Sequence, residues 1–71
     1  MGRKYYTTCI FDIDCGRWFD QFGSYSRKEA HDEASELSGE YPVKVICHAD
    51  TAEAMIAARD ALAVPTRYRK A

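Results

Sequence analysis

Apolar and polar positions alternate with period two in three segments and recur near every 3.6 residues in two others, predicting the order β-β-α-β-α. Residues 5–13, Tyr-Tyr-Thr-Thr-Cys-Ile-Phe-Asp-Ile, are rich in aromatic and β-branched types and read as a strand. Successive side chains of a strand point to opposite faces, so Cys9, Phe11 and Ile13 share one face, expected to be the buried one. Tyr6, Thr8, Ile10 and Asp12 share the other. Asp14-Cys15-Gly16 supplies a turn, with Gly16 able to take a positive φ, and residues 17–22 return as a second strand. A two-residue loop sets Asp20 across from Phe11, with Trp18 and Phe22 on the same face. A three-residue loop with a glycine bulge sets Phe19 there instead, and is favoured because it avoids an inward aspartate.

Two helix starts carry the same signature. Ser26-Arg27-Lys28-Glu29 and Asp50-Thr51-Ala52-Glu53 each fit a capping box, in which the cap side chain accepts a helix N–H and the glutamate reaches back. The first predicts a helix over 27–38, stopped near Gly39, with Tyr25 and Ala30 placed for a hydrophobic staple. Its core face is Ala30, Ala34 and Leu37; Glu29, Asp32, Glu33 and Glu36 form an acidic face opposite. Pro42 then introduces a strand over 43–48, with Val43, Val45 and Cys47 on one face and Lys44, Ile46 and His48 on the other. The second helix, about 51–63 and capped by Asp50 or Thr51, is alanine-rich and cannot continue through Pro65. Ala54, Met55, Ala58 and Leu62 make its core face, and Ile56 projects from its flank.

The simplest assembly of these elements is a two-layer α+β domain, a three-stranded sheet with both helices on one face. Residues 66–71 form either a flexible tail or a short edge strand. One sheet face then lacks a cover, which leaves Tyr6, Ile10, Trp18 and Ile46 on an open apolar surface; independently, Ile56 projects from the small-residue flank of the second helix, where another element could approach closely. Such a patch marks an interaction site.

Size strengthens that expectation. A chain of 71 residues is a single domain that buries only about 60% of its unfolded surface, and domains this small usually gain stability from disulfides, metals or association. Three cysteines, Cys9, Cys15 and Cys47, are an odd number without C-x-x-C spacing; Cys9 and Cys47 fall within strands, where a free thiol acts as a small apolar group. No apolar stretch approaches membrane-spanning length, and the opening Met-Gly-Arg-Lys-Tyr-Tyr has no signal-peptide core, so a cytoplasmic protein is expected.

Charge and candidate chemistry narrow the function classes. With ten Lys and Arg against eleven Asp and Glu, the net charge of −1 excludes non-specific nucleic-acid affinity over the whole surface. Basic residues gather at the ends, however. Arg3-Lys4-Tyr5-Tyr6 and Arg67-Tyr68-Arg69-Lys70 set cations beside tyrosines, a combination suited to phosphate pairing and base stacking. Cys9, Cys15, Cys47, His31 and His48 are the available soft metal ligands, but Cys47 and His48 point to opposite strand faces, and no metal or cofactor is expected. No nucleophile, base and orienting group share a usable spacing, so an enzyme is not expected either. The expectation is a non-enzymatic protein-binding module, a homodimer or the accessory or inhibitor protein of a phage or mobile element. A nucleic-acid binder using the terminal basic–aromatic segments is the alternative.

Overall fold

The computed structural model describes residues 3–65. Its elements are β1 (Lys4–Asp12), β2 (Arg17–Ser24), α1 (Arg27–Leu37), β3 (Val43–Ala49) and α2 (Ala52–Asp60). The order β-β-α-β-α and the α+β class are those expected. The sheet runs β2-β1-β3 with every neighbouring pair antiparallel.

The β1–β2 turn is longer than either loop read from the sequence. Asp12 pairs with Arg17, leaving Ile13 to Gly16 as the loop, and Trp18 rather than Phe19 lies across from Phe11. Asp12 nucleates it. Its carboxylate accepts the backbone N–H of Asp14 at 2.8 Å and of Cys15 at 3.2 Å, while its carbonyl accepts Gly16 N–H at 2.7 Å. Gly16 closes the loop at φ 68°, the left-handed conformation that a Cβ disfavours. Ile13 therefore belongs to the turn and is exposed, not buried with Cys9 and Phe11.

Further along, the register shifts between Thr8 and Cys9: Thr8 pairs with Phe22 but Cys9 with Asp20, so Gln21 is an extra residue, a β-bulge. The bulge keeps Trp18 and Asp20 on the face of Phe11 and Cys9 while Phe22 and Ser24 join Thr8 and Tyr6.

The helices lie on opposite faces. Thr8 is fully buried, and its hydroxyl donates to the Ala30 carbonyl at 2.7 Å, which seats α1 on the Tyr6–Thr8–Ile10 face above Ala30 and Ala34. On the other face Cys9, Phe11 and Trp18 form the main core, with Ile46 and Leu62 packed against it. There the Trp18 indole donates to the Ala63 carbonyl at 3.1 Å, and Arg59 pairs with Asp20 at 2.8 Å. The expected two-layer arrangement with one bare face is thus replaced by three layers, α1, sheet and α2. Width explains this. Three strands about 4.8 Å apart make a layer only about 14 Å across. One helix, about 10–12 Å wide with its side chains, fills a face, and the second must take the other.

Helix capping follows the sequence in part. The Ser26 hydroxyl accepts Glu29 N–H at 3.3 Å. Glu29 does not reach Ser26 directly; Ser26 N–H donates to the Ser24 hydroxyl, which donates to the Glu29 carboxylate at 2.7 Å. In α2 the cap is Thr51, accepting Ala54 N–H at 3.1 Å. Glu53 then sits one residue too early to close a box, and Asp50 turns instead to the Tyr25 hydroxyl.

Candidate interaction surface

With a helix on each sheet face, the surfaces left for recognition are the sheet edges, the rims beside the helices and the outer faces of the helices. The expected interface residues separate accordingly. Trp18 is only 8% exposed and belongs to the core, so its placement on an open face is corrected. Tyr6 and Ile10 are half-buried on the α1 face, and Ile46 is half-buried on the α2 face, so no common apolar patch unites them. Ile56 is exposed on α2.

Of these five, Ile46 is in β3, and Tyr6 and Ile10 neighbour it on β1. Tyr6 pairs with Cys47 and Thr7 with Ile46, and among the described residues no strand pairs with the outer side of β3. Seven residues long and without Pro, Gly or an acid, this edge is unbroken by a bulge. Edges of that kind are usually blunted, because their free N–H and C=O groups template another strand. The opposite edge, β2, is blunted by its bulge at Gln21 and by Arg17 and Asp20. A cleft of about 380 Å³ opens beside β3 on the α1 side, lined by Tyr6, Arg27, His31, Val45 and Cys47.

A second cleft, about 420 Å³, lies between the N-terminus of α2 and the bulged part of β2, with Tyr5, Thr7, Asp20, Phe22, Asp50 and Met55 in its wall. An aromatic cluster borders it. Tyr5 meets Tyr25 edge-on at 4.9 Å and the His48 ring at 5.8 Å, and the Arg3 guanidinium lies 4.1 Å over Tyr25. The hydrogen bond to Asp50, which is lost when the phenol ionises, holds the Tyr25 pKa above its ordinary value. His48 Nδ1 lies 2.8 Å from the Ala49 carbonyl, which can only accept, so the neutral ring carries its proton there. Nε2 then accepts from the Thr7 hydroxyl at 2.7 Å. This cluster ties the start of β1 to the end of β3; its members are committed to one another.

Tyr5 is held closely enough to give a measurable consequence. A Cβ at Gly23 would stand 2.6 Å from the Tyr5 ring, which the Tyr25 and His48 rings keep from retreating. Gly23→Ala is expected to cost of order 1–2 kcal/mol in urea unfolding through overpacking. The Tyr5 ring resonances should shift; unchanged resonances and stability would refute the close approach.

The acidic face of α1 is as expected exposed in the main. Asp32 pairs with Lys28 at 2.9 Å and Glu29 holds Ser24, whereas Glu33 is half-buried and Glu36 exposed. No group of three or more His, Cys, Asp or Glu converges to hold a metal among the described residues. Of the basic–aromatic termini, Arg3 is engaged with Tyr25 and Lys4 is exposed. Arg67, Tyr68, Arg69 and Lys70 lie outside the described residues, as does the alternative of an edge strand over 66–71. Among the described residues no helix is long and apolar enough to cross a membrane.

Sequence reasoning missed the Arg59–Asp20 pair. Its signal was present: an aspartate on the inward face of β2 and a lone cation on an alanine-rich helix. Arg59 loses solvation by burial, yet its hydrogen bonds to Asp20 and Asp60 hold its pKa above the ordinary value. No family model, curated protein or solved structure matches the chain.

Proposed function

We propose that this chain is a small non-enzymatic binding module, an accessory protein that engages another polypeptide by adding a strand to the outer edge of β3. The observation that carries the reading is the asymmetry of the sheet: one edge broken by a bulge, the other unbulged, with Lys44 as its one charge besides His48, and unpaired among the described residues. In strand addition, main-chain hydrogen bonds supply affinity and pockets for alternate side chains supply selectivity. The cleft lined by Tyr6, Arg27, His31, Val45 and Cys47 supports such a pocket, with Arg27 as the cation in its wall.

Selection from a library of displayed peptides tests the proposal, using the full chain and Val45→Pro as targets. Proline is tolerated where an edge N–H faces solvent but cannot donate to an added strand. Extended peptides of alternating polarity should be enriched on the unaltered chain and lost on Val45→Pro. Enrichment that survives the proline, or no enrichment at all, would overturn strand addition.

A further inference from the structure

The ladder between β1 and β3 shows which groups of β3 face outward. Asp50 N–H donates to the Arg3 carbonyl at 3.1 Å, and Phe11 N–H donates to the Pro42 carbonyl at 3.0 Å. Both contacts lie in the register that pairs Lys4 with Ala49 and Ile10 with Val43. Hydrogen-bonded and non-hydrogen-bonded pairs alternate along an antiparallel ladder. His48, Ile46 and Lys44 therefore bond inward to Tyr5, Thr7 and Cys9, and the N–H and C=O groups of Val43, Val45 and Cys47 and the N–H of Ala49 point away from the sheet, the Ala49 carbonyl being taken by Thr51 N–H and His48 Nδ1.

We infer that the occupant of this edge is a second copy of the chain, its β3 antiparallel to the first across a two-fold axis at Ile46. This deepens the strand-addition reading and rests on it. In that register Val45 and the partner's Cys47 exchange both main-chain hydrogen bonds, and Ala49 N–H donates to the carbonyl of the partner's Val43. A shift by two residues in either direction leaves part of the strand unpaired. Side chains agree with the same register. Ile46 faces its own counterpart on the axis, and Lys44 meets the partner's His48, whose ring nitrogens are already held by the Thr7 hydroxyl and the Ala49 carbonyl. On the α1 side the contact is Val43, Val45, Cys47 and Ala49, an apolar stripe that extends the wall of the Tyr6–Val45–Cys47 cleft. Because β2 is bulged, this two-fold contact uses the one unbulged edge among the described residues of each copy and closes on itself.

Sedimentation equilibrium of the full chain over a concentration series should show a species of twice 8.1 kDa. Val45→Pro should remain at 8.1 kDa with unchanged far-ultraviolet dichroism. Amide exchange needs no variant: protection at Val45, Cys47 and Ala49 should rise with protein concentration. Cross-linking reports the register. Opposed non-hydrogen-bonded residues stand about 4.5 Å apart, within disulfide reach. With Cys15→Ser and Cys47→Ser in place, Ile46→Cys should oxidise to a covalent dimer and Lys44→Cys should not. A dimer indifferent to Val45→Pro, or cross-linked by Lys44→Cys and not Ile46→Cys, would overturn the inference. So would a monomer at every concentration, and peptide selection lost on Val45→Pro would then leave strand addition standing.

Discussion

Replacing Trp18 with alanine should remove a third or more of the protein's stability rather than release a binding surface. The indole is buried against Phe11 with ring centroids 5.4 Å apart, and its N–H satisfies the Ala63 carbonyl just beyond α2. Truncating a buried aromatic side chain costs about 3–5 kcal/mol. A domain of 71 residues has about 4–10 kcal/mol in total at the usual yield per residue. The loss is a large share of that total, and the segment after α2 would lose its anchor. Urea unfolding followed by far-ultraviolet dichroism is the measurement. A variant with native stability and altered association would instead place Trp18 on a surface.

Alkaline pH should weaken the fold through Cys9. Burial pushes this thiol from 9.0 up to about 11; Asp20, across the strand pair, adds to the rise and Arg59 opposes it. The folded protein therefore keeps a proton that the unfolded chain releases. The stabilisation is complete below pH 9 and is lost as pH climbs through 11, because the unfolded state gains by ionising first. Two pKa units correspond to roughly 2–3 kcal/mol. Unfolding free energies at pH 8 and pH 11 should fall more for the unaltered chain than for Cys9→Ala, which has no thiol to ionise. An equal fall in both would mean that Cys9 titrates normally.

The strands, the helices and their order were legible because period and capping chemistry are local. Cys9 and Phe11 were readable as core from alternation alone. What failed depended on distance along the chain. The hairpin register turned on the Asp12 carboxylate nucleating a four-residue loop, and on a bulge at Gln21 that no alternation reveals. An inward Asp20 looked forbidden because its partner, Arg59, lies 39 positions away. The placement of α2 depended on how much width α1 had already filled, a property of the assembled sheet. The candidate surface moved with it, since Trp18 changed from an exposed ring to a core ring while Tyr6 and Ile46 stayed beside β3.

Neighbouring residues of β1 serve different masters. Thr8 locks to α1 through Ala30, while Cys9, one peptide bond away, packs beneath α2 with Phe11 and Trp18. The central strand thus separates two small interiors that share a backbone but no side chains. Each helix can detach without breaching the other's interior, so amide exchange should resolve two opening events of unequal free energy, with α2 and its alanine-rich flank released first.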